Sequence, residues 1–374
     1  MHKIYNILLI AATLLLSASC QQGRNSYTIM GQMPENGFDG ATVYMVEMDG
    51  QEPLDSAVIS QGQFQLTGTV DTTRMVQLVT SLNPSSRFVS IMVLEPGQIS
   101  INLVTDSLSG TPLNDLYYRT YTCDTAAQSL QTRMQGLLES YYQTTDAAQQ
   151  AAIVQDYTQL DSLLTLHNIA LSHQVFDQNR DNILGAYALS NLVEYEEMSF
   201  EKLDSIMSHS SSAIATYKPL RSAHSQLLHV ANTSEGKPYV DIEGIDFVTG
   251  NATTLSAMLD TNQVTLLDFW ASWCGPCRQE ISENLVRLYT KYNAKGLNII
   301  GVDVWDKMPN HKKAVEDLGI TYPQLIDTTR TATENYGVVG IPTILLLDKD
   351  GTILKRGLRG DQIETAIKEA LNVR

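Results

Sequence analysis

Residues 266–281 read LLDFWASWCGPCRQEI. An apolar run from Leu266 to Trp270 precedes two cysteines separated by Gly275 and Pro276, and an amphipathic stretch begins at Arg278. Strand, Cys-x-x-Cys, helix is the context in which such a pair is redox-active. Cys274 would sit at the helix N-terminus, where unpaired backbone N–H groups and the helix dipole favour a thiolate, pulling its pKa from about 8.5 toward roughly 7 or lower. Pro276 suits the first turn, since its missing N–H had no helical partner there. Cys277, one turn further in, is placed to attack a mixed disulfide and release the product. A zinc half-site would need a second pair of ligands, and the nearest histidine, His311, stands alone. A purely structural disulfide closing so short a loop would constrain the unfolded chain little. Neither a metal ion nor a cofactor is expected.

Around this motif the apolar periodicity alternates. Strands are expected at 264–269, 297–304, 323–326, 343–348 and 352–356, and helices at 278–292, 312–318, 332–336 and 362–371. Alternating strand and helix predicts an α/β layer with a mixed sheet. The small, turn-prone segment ANTSEGKP, 231–238, marks a boundary before it.

From Tyr27 to about Val104, short apolar runs alternate with turn signals at Pro34–Gly37, Asp49–Gly50, Gln61–Gly62 and Pro96–Gly97, predicting an antiparallel sheet or sandwich. Between Asn114 and about Val230 the period becomes helical. Leu130, Met134, Leu137, Leu138 and Tyr141 share one face, as do Ile153, Tyr157, Leu160 and Leu164, and both stripes are read as core. Cys123 reads as a buried, inert thiol, because nothing near it is basic. His167, His173, His209, His224 and His229 show no metal-ligand spacing or acidic partner motif and read as helix surface or satisfied core.

The N-terminus, MHKIYNILLIAATLLLSASC, has a basic start, an apolar stretch from Ile7 to Leu16 and small residues after it, as an export signal does. That stretch is shorter than the roughly 20 residues a membrane-spanning helix needs. Ser17–Cys20 resembles a bacterial lipobox, with Ser17 where leucine is usual; Cys20 would then be the lipidated mature N-terminus. A net charge of −16 and the absence of a Lys/Arg stripe exclude nucleic acid as an expected partner. With Cys20 assigned, only Cys123, Cys274 and Cys277 remain, too few for a disulfide framework.

DFWASWCGPC together with VGIPT downstream resembles thioredoxin, and the added strand and helix between Val304 and Tyr336 resemble the exported TlpA/ResA-like branch. The resemblance covers about 236–374. It implies a thioredoxin fold and a Cys274/Cys277 dithiol that exchanges with protein disulfides. It makes Asp268 the buried acid that accepts the Cys277 proton, Glu280 an acid that tunes the pair, and Pro342 the proline after a cis bond. Ile341 would offer its backbone to an extended substrate, with Trp273, Gly275 and Pro276 forming the contact surface. Two departures stand out: Ser282 occupies a place where many relatives carry a helix-kinking proline, and GVDVWDK offers no basic residue to face the buried acid. The stretch 40–68 resembles an uncharacterised domain fused to lipoprotein thioredoxins.

The expected organisation is therefore a signal peptide (1–19), a lipid-anchored tether (20–26), a β-rich domain (27–110), a helical region (111–230) and a thioredoxin-like domain (231–374). The expected activity is thiol-disulfide oxidoreduction on the periplasmic side of the cell envelope. Gly275–Pro276 favours a reductant, since this dipeptide accompanies potentials near roughly −270 mV, against about −120 mV for DsbA. The resemblance implies recharging by a membrane donor of the CcdA/DsbD type. The alternatives are a disulfide oxidase or isomerase, and an envelope binding module with an accessory thioredoxin domain.

Overall fold

The computed structural model describes residues 25–33, 38–48, 50, 52–81 and 89–372. Cys20, the leader, and the turn positions 34–37 and 49 lie outside the described residues. The chain divides into two compact units: one runs to Met198 and takes in Ser205–Arg221, and the other comprises Ser199–Asp204 and Ser222–Arg374.

Eight strands open the first unit: β1 (Ser26–Gln32), β2 (Thr42–Glu47), β3 (Pro53–Val58), β4 (Gln63–Thr69), β5 (Arg74–Val79), β6 (Val89–Leu94), β7 (Gly97–Asn102) and β8 (Ser107–Ser109). They form two four-stranded sheets, ordered β4-β1-β7-β8 and β3-β2-β5-β6. Period-two alternation buries Phe64 and Leu66 of β4 and Ile99 and Ile101 of β7, leaving their polar neighbours outside. One pair departs from the antiparallel expectation: β1 runs parallel to β7. Alternation within a strand carries no information about the direction of its neighbour, so this pairing leaves no local signal. Gly31 pairs with Phe64 across β1 and β4, and a Cβ there would lie 2.0 Å from the Phe64 ring, which is why the position takes no side chain.

The helices are α1 (Pro112–Tyr117), α2 (Thr125–Gln143), α3 (Ala147–Gln178), α4 (Ile183–Tyr195), α5 (Phe200–Ser208), α6 (Ser212–Ala215) and α7 (Lys218–Asn232). Buried Asn114 ties α1 to β6, its amide exchanging two 2.8 Å hydrogen bonds with the Val93 backbone. The core reading of the two stripes holds at Met134 and Leu160, whereas Leu138 and Tyr157 are exposed. Helices α2 and α3 pair through only part of those faces. Cys123 is also exposed, correcting the buried reading, and its thiol is a hydrogen-bond partner of the Tyr118 hydroxyl. Three histidines find carboxylates through tertiary contacts: His167 with Asp124 at 2.5 Å, His173 with Glu196 at 2.5 Å, and His224 with Asp204 at 2.9 Å. Among the described residues no helix is long and apolar enough to cross a membrane.

The second unit adds β9 (Glu243–Asp246), β10 (Ala252–Thr254), α8 (Leu255–Met258), β11 (Val264–Trp270), α9 (Gly275–Glu280), α10 (Val286–Tyr292), β12 (Leu297–Asp303), α11 (Met308–Leu318), β13 (Gln324–Ile326), α12 (Thr331–Asn335), β14 (Thr343–Leu347), β15 (Ile353–Arg356) and α13 (Asp361–Leu371). Its seven-stranded sheet is ordered β10-β9-β13-β12-β11-β14-β15, with β11 parallel to β12 and antiparallel to β14. Central β11 is buried on both faces. Leu266 and Trp270 join the core that contains Cys277 and Leu288, while Leu267 and Phe269 join the opposite core with Tyr336. By the two-residue period, Asp268 points to the same side as Leu266 and Trp270, toward the cysteine pair.

A π turn at Ile281–Leu285 joins α9 to α10. Cys277, Ile281 and Leu285 are all fully buried at four-residue spacing. In a straight α-helix each such step drifts by about 40°, and the wider turn restores the phase so that all three face one core. This turn lies where Ser282 replaces the expected proline, so the helix departs from α geometry there without one.

Candidate active site

Strand β11 ends at Trp270, and the chain turns through Ala271–Trp273 before α9 begins. Cys274 is the N-cap, and its Sγ accepts the Cys277 backbone N–H at 3.2 Å. This is the local source of thiolate stabilisation, because the sulfur faces N–H groups at a helix start that lack intrahelical partners. Cys274 and Cys277 are disulfide-bonded, with Cα atoms 5.3 Å apart. Their exposures differ: Cys274 retains 4% and Cys277 none. Of the two, only Cys274 keeps any exposure.

The surface around it is open on one side. Gly275 and Pro276 are exposed, and a Cβ at Gly275 would meet nothing within 4 Å. Trp273 is 61% exposed, and its indole N–H donates to the Trp305 carbonyl at 3.1 Å. The Ile341 carbonyl oxygen lies 3.6 Å from Cys274 Sγ, and the Ile341–Pro342 bond is cis. The structure thus brings Trp273, Gly275, Pro276, Ile341 and Pro342 together around one sulfur.

Behind the pair lies Asp268, 1% exposed, with both carboxylate oxygens lacking a hydrogen-bond partner. Burial is the main cause raising its pKa to about 8; the Arg359 charge opposes that rise and the Glu280 charge adds to it. The Tyr322 hydroxyl is likewise buried without a partner, and the same burial together with the Asp268 charge pushes its pKa up. Glu280 is held by two bonds, from the Asn284 amide at 2.6 Å and from the Gly360 N–H at 3.1 Å. It therefore ties α9 to the loop before α13 as well as adding charge near Asp268.

Arg359 is the basic residue that the GVDVWDK stretch does not supply. Its guanidinium donates to the Leu358 carbonyl at 2.7 Å and to the Pro342 carbonyl, bracing the cis-proline loop, while its charge favours the Asp268 carboxylate. Arg359 and Tyr322 escape the sequence motifs because each lies in a distant loop and is connected to Asp268 only through its electrostatic effect. His311, expected to stand alone, instead lies 3.1 Å from Asp303 and close to Asp306.

Residues 236–356 match the AhpC/TSA family, and residues 27–117 match a domain of unknown function, DUF4369. A thiol-disulfide oxidoreductase ResA of Bacillus thuringiensis subsp. konkukian is 34% identical over 105 residues, covering 28% of this chain and 60% of that protein. The ResA of Geobacillus thermodenitrificans is 35% identical over 105 residues, 28% of this chain and 59% of its own. The chain thus spans about three fifths of the curated relatives it matches. Among solved structures, the thioredoxin domain of a thiol-disulfide oxidoreductase from Bacteroides vulgatus is 31% identical, covering 37% of this chain and 99% of that one, with a TM-score of 0.35. A putative thiol:disulfide interchange protein DsbE from Chlorobium tepidum is 32% identical over 37% of this chain and 98% of its own, with a TM-score of 0.33.

Proposed function

We propose that the chain, which through its C-terminal unit resembles the TlpA/ResA-like branch of the thioredoxin superfamily, is a thiol-disulfide oxidoreductase reducing protein disulfides through Cys274 and Cys277. The observation that carries this reading is the asymmetry of the pair: Cys274, the cap at a helix N-terminus, keeps a small exposure between the exposed Trp273 and Gly275, and Cys277 is fully buried on the side of an uncharged acid.

In the reducing direction, the Cys274 thiolate attacks a substrate disulfide, forming a mixed disulfide and expelling one substrate thiolate. Cys277 then loses its proton to Asp268 and attacks Cys274 Sγ, which expels the second substrate thiolate and leaves the Cys274–Cys277 disulfide. Recharging runs in reverse. As a donor thiolate attacks Cys274, Cys277 leaves and takes the proton that Asp268 holds near neutral pH. An acid whose pKa lies close to that of a thiol can serve both directions. An extended substrate segment would pair with the Ile341 backbone beside Cys274.

The leader and Cys20 support a lipid-anchored position on the periplasmic side of the envelope, where a membrane donor of the CcdA/DsbD type would supply electrons. The test is a Cys277→Ser variant expressed in growing cells. Cys274 then holds its substrate as a mixed disulfide for identification by mass spectrometry. A trap that stays empty defeats the substrate reading, and a measured potential above about −150 mV defeats the reducing direction.

A further inference from the structure

Asp303 ends β12, Asp306 follows in the loop, and His311 lies in α11. Three observations mark this cluster. One ligand atom from each residue lies within 4.8 Å of the other two. His311 is fully buried, yet neither ring nitrogen has a hydrogen-bond partner. Asp303, 3% exposed, leaves Oδ1 unpartnered as well. The 3.1 Å separation between His311 Nδ1 and Asp303 Oδ1 is short enough for charge pairing but lacks hydrogen-bond alignment.

The ring is fixed in place by aromatic walls. Trp270 packs against it at 4.9 Å between centroids and Phe247 meets it edge-on at 5.1 Å. Asp306 is half-buried and provides the open side. Its Oδ2 accepts the Ser272 N–H at 2.6 Å and its Oδ1 the Lys307 N–H at 2.7 Å, which orients the carboxylate while leaving lone pairs on both oxygens.

We propose that Asp303, Asp306 and His311 form a binding site for a divalent transition-metal ion of the zinc class. One imidazole and two carboxylates suit such an ion better than calcium or magnesium, which favour oxygen-only shells. Ligand distances of about 2.0–2.2 Å require the three atoms to close slightly around the ion, leaving a position for water. Asp306 holds Ser272, two residues before Cys274, and the neighbouring Trp305 carbonyl holds Trp273. The ion would therefore stiffen the loop beside the redox turn without touching a sulfur.

The test uses the full chain kept as the Cys274–Cys277 disulfide, so that the thiols cannot ligate metal. Titration with Co²⁺ and Zn²⁺ should show one saturable site per chain, and Zn²⁺ should slow amide exchange at Ser272 by about tenfold or more. Asp306→Asn and His311→Gln, each checked for wild-type unfolding in chelator, should weaken binding by about tenfold or more. No saturable binding by the oxidised wild type overturns the proposal. So does binding that leaves the Ser272 amide unchanged, or binding of wild-type strength in either folded variant. The exchange measurement needs no substitution, so it decides the matter even if both variants unfold.

Discussion

Replacing Asp268 by Asn should make the second unit more stable as pH rises. In the folded oxidised protein the carboxyl has a pKa of about 8, against an ordinary value of 3.8. A raised carboxyl contributes stability that is fully present below about pH 4 and is lost as pH climbs through about 8, because the unfolded chain ionises first. The linkage costs the wild type about 0.5 kcal/mol at pH 4 and about 4 kcal/mol at pH 7, using 1.36 kcal/mol per pKa unit. Asparagine carries no such term. Its buried amide adds a fixed penalty, so the diagnostic is the pH dependence of the difference between the two proteins. The chain's three tryptophans, Trp270, Trp273 and Trp305, all lie in this unit, so denaturant unfolding followed by tryptophan fluorescence reports on it selectively. The difference should grow by about 4 kcal/mol from pH 4 to pH 7. Parallel stability curves would refute the buried, neutral acid. The same variant should slow disulfide exchange by about a hundredfold or more, as expected when a positioned proton carrier is lost.

Removing the positive charge in Arg359→Gln should shift the pH profile of disulfide exchange to higher pH, since that charge favours the Asp268 carboxylate; Arg359→Lys should shift it less. Stopped-flow rates across pH separate this from simple destabilisation. Gly301→Ala should lower stability by about 2 kcal/mol, measured as a denaturant midpoint. The new Cβ would lie 2.3 Å from Gln324 Oε1, which accepts the Trp270 indole N–H at 3.0 Å. Trp273→Ala should change stability by no more than about 0.5 kcal/mol while slowing reaction with protein disulfides more than with a small aromatic disulfide, because the ring is exposed beside Cys274.

The second unit is legible in the sequence almost strand by strand because β11, β12 and β14 are mostly apolar and almost wholly buried, with Leu266–Leu267, Ile299–Ile300 and Ile344–Leu347 at their centres, the mark of strands buried on both faces. Glu243–Asp246 and Ala252–Thr254 are not, being short, half-exposed and held by pairing rather than by their own pattern. The cysteine motif and its acid share the string DFWASWCGPC, and VGIPT is recognisable by its resemblance to thioredoxin, so their meeting can be anticipated. Arg359 cannot be, because an exposed arginine before a helix looks like surface until the Leu358 turn aims it at the Pro342 carbonyl. The Asp303, Asp306 and His311 cluster hides for a related reason: its spacing matches no familiar ligand motif, and aromatic packing from Phe247, far back in the chain, helps to enclose it. In the first unit the α2 and α3 stripes mislead because amphipathic spacing shows which face is apolar, not whether another element covers it.

The π turn in the redox helix also has an evolutionary consequence. Ser282 and Glu283 face outward within it, while Ile281 and Leu285 bracket it from inside. A π turn is an α turn carrying one surplus residue, so deleting one of these outward positions would return the segment to plain α-helix. Cys277 and Tyr292 would keep their common buried face. Relatives that differ by one residue in the length of this helix should carry the gap here, and aligning them straight through would misassign every position from Val286 onward.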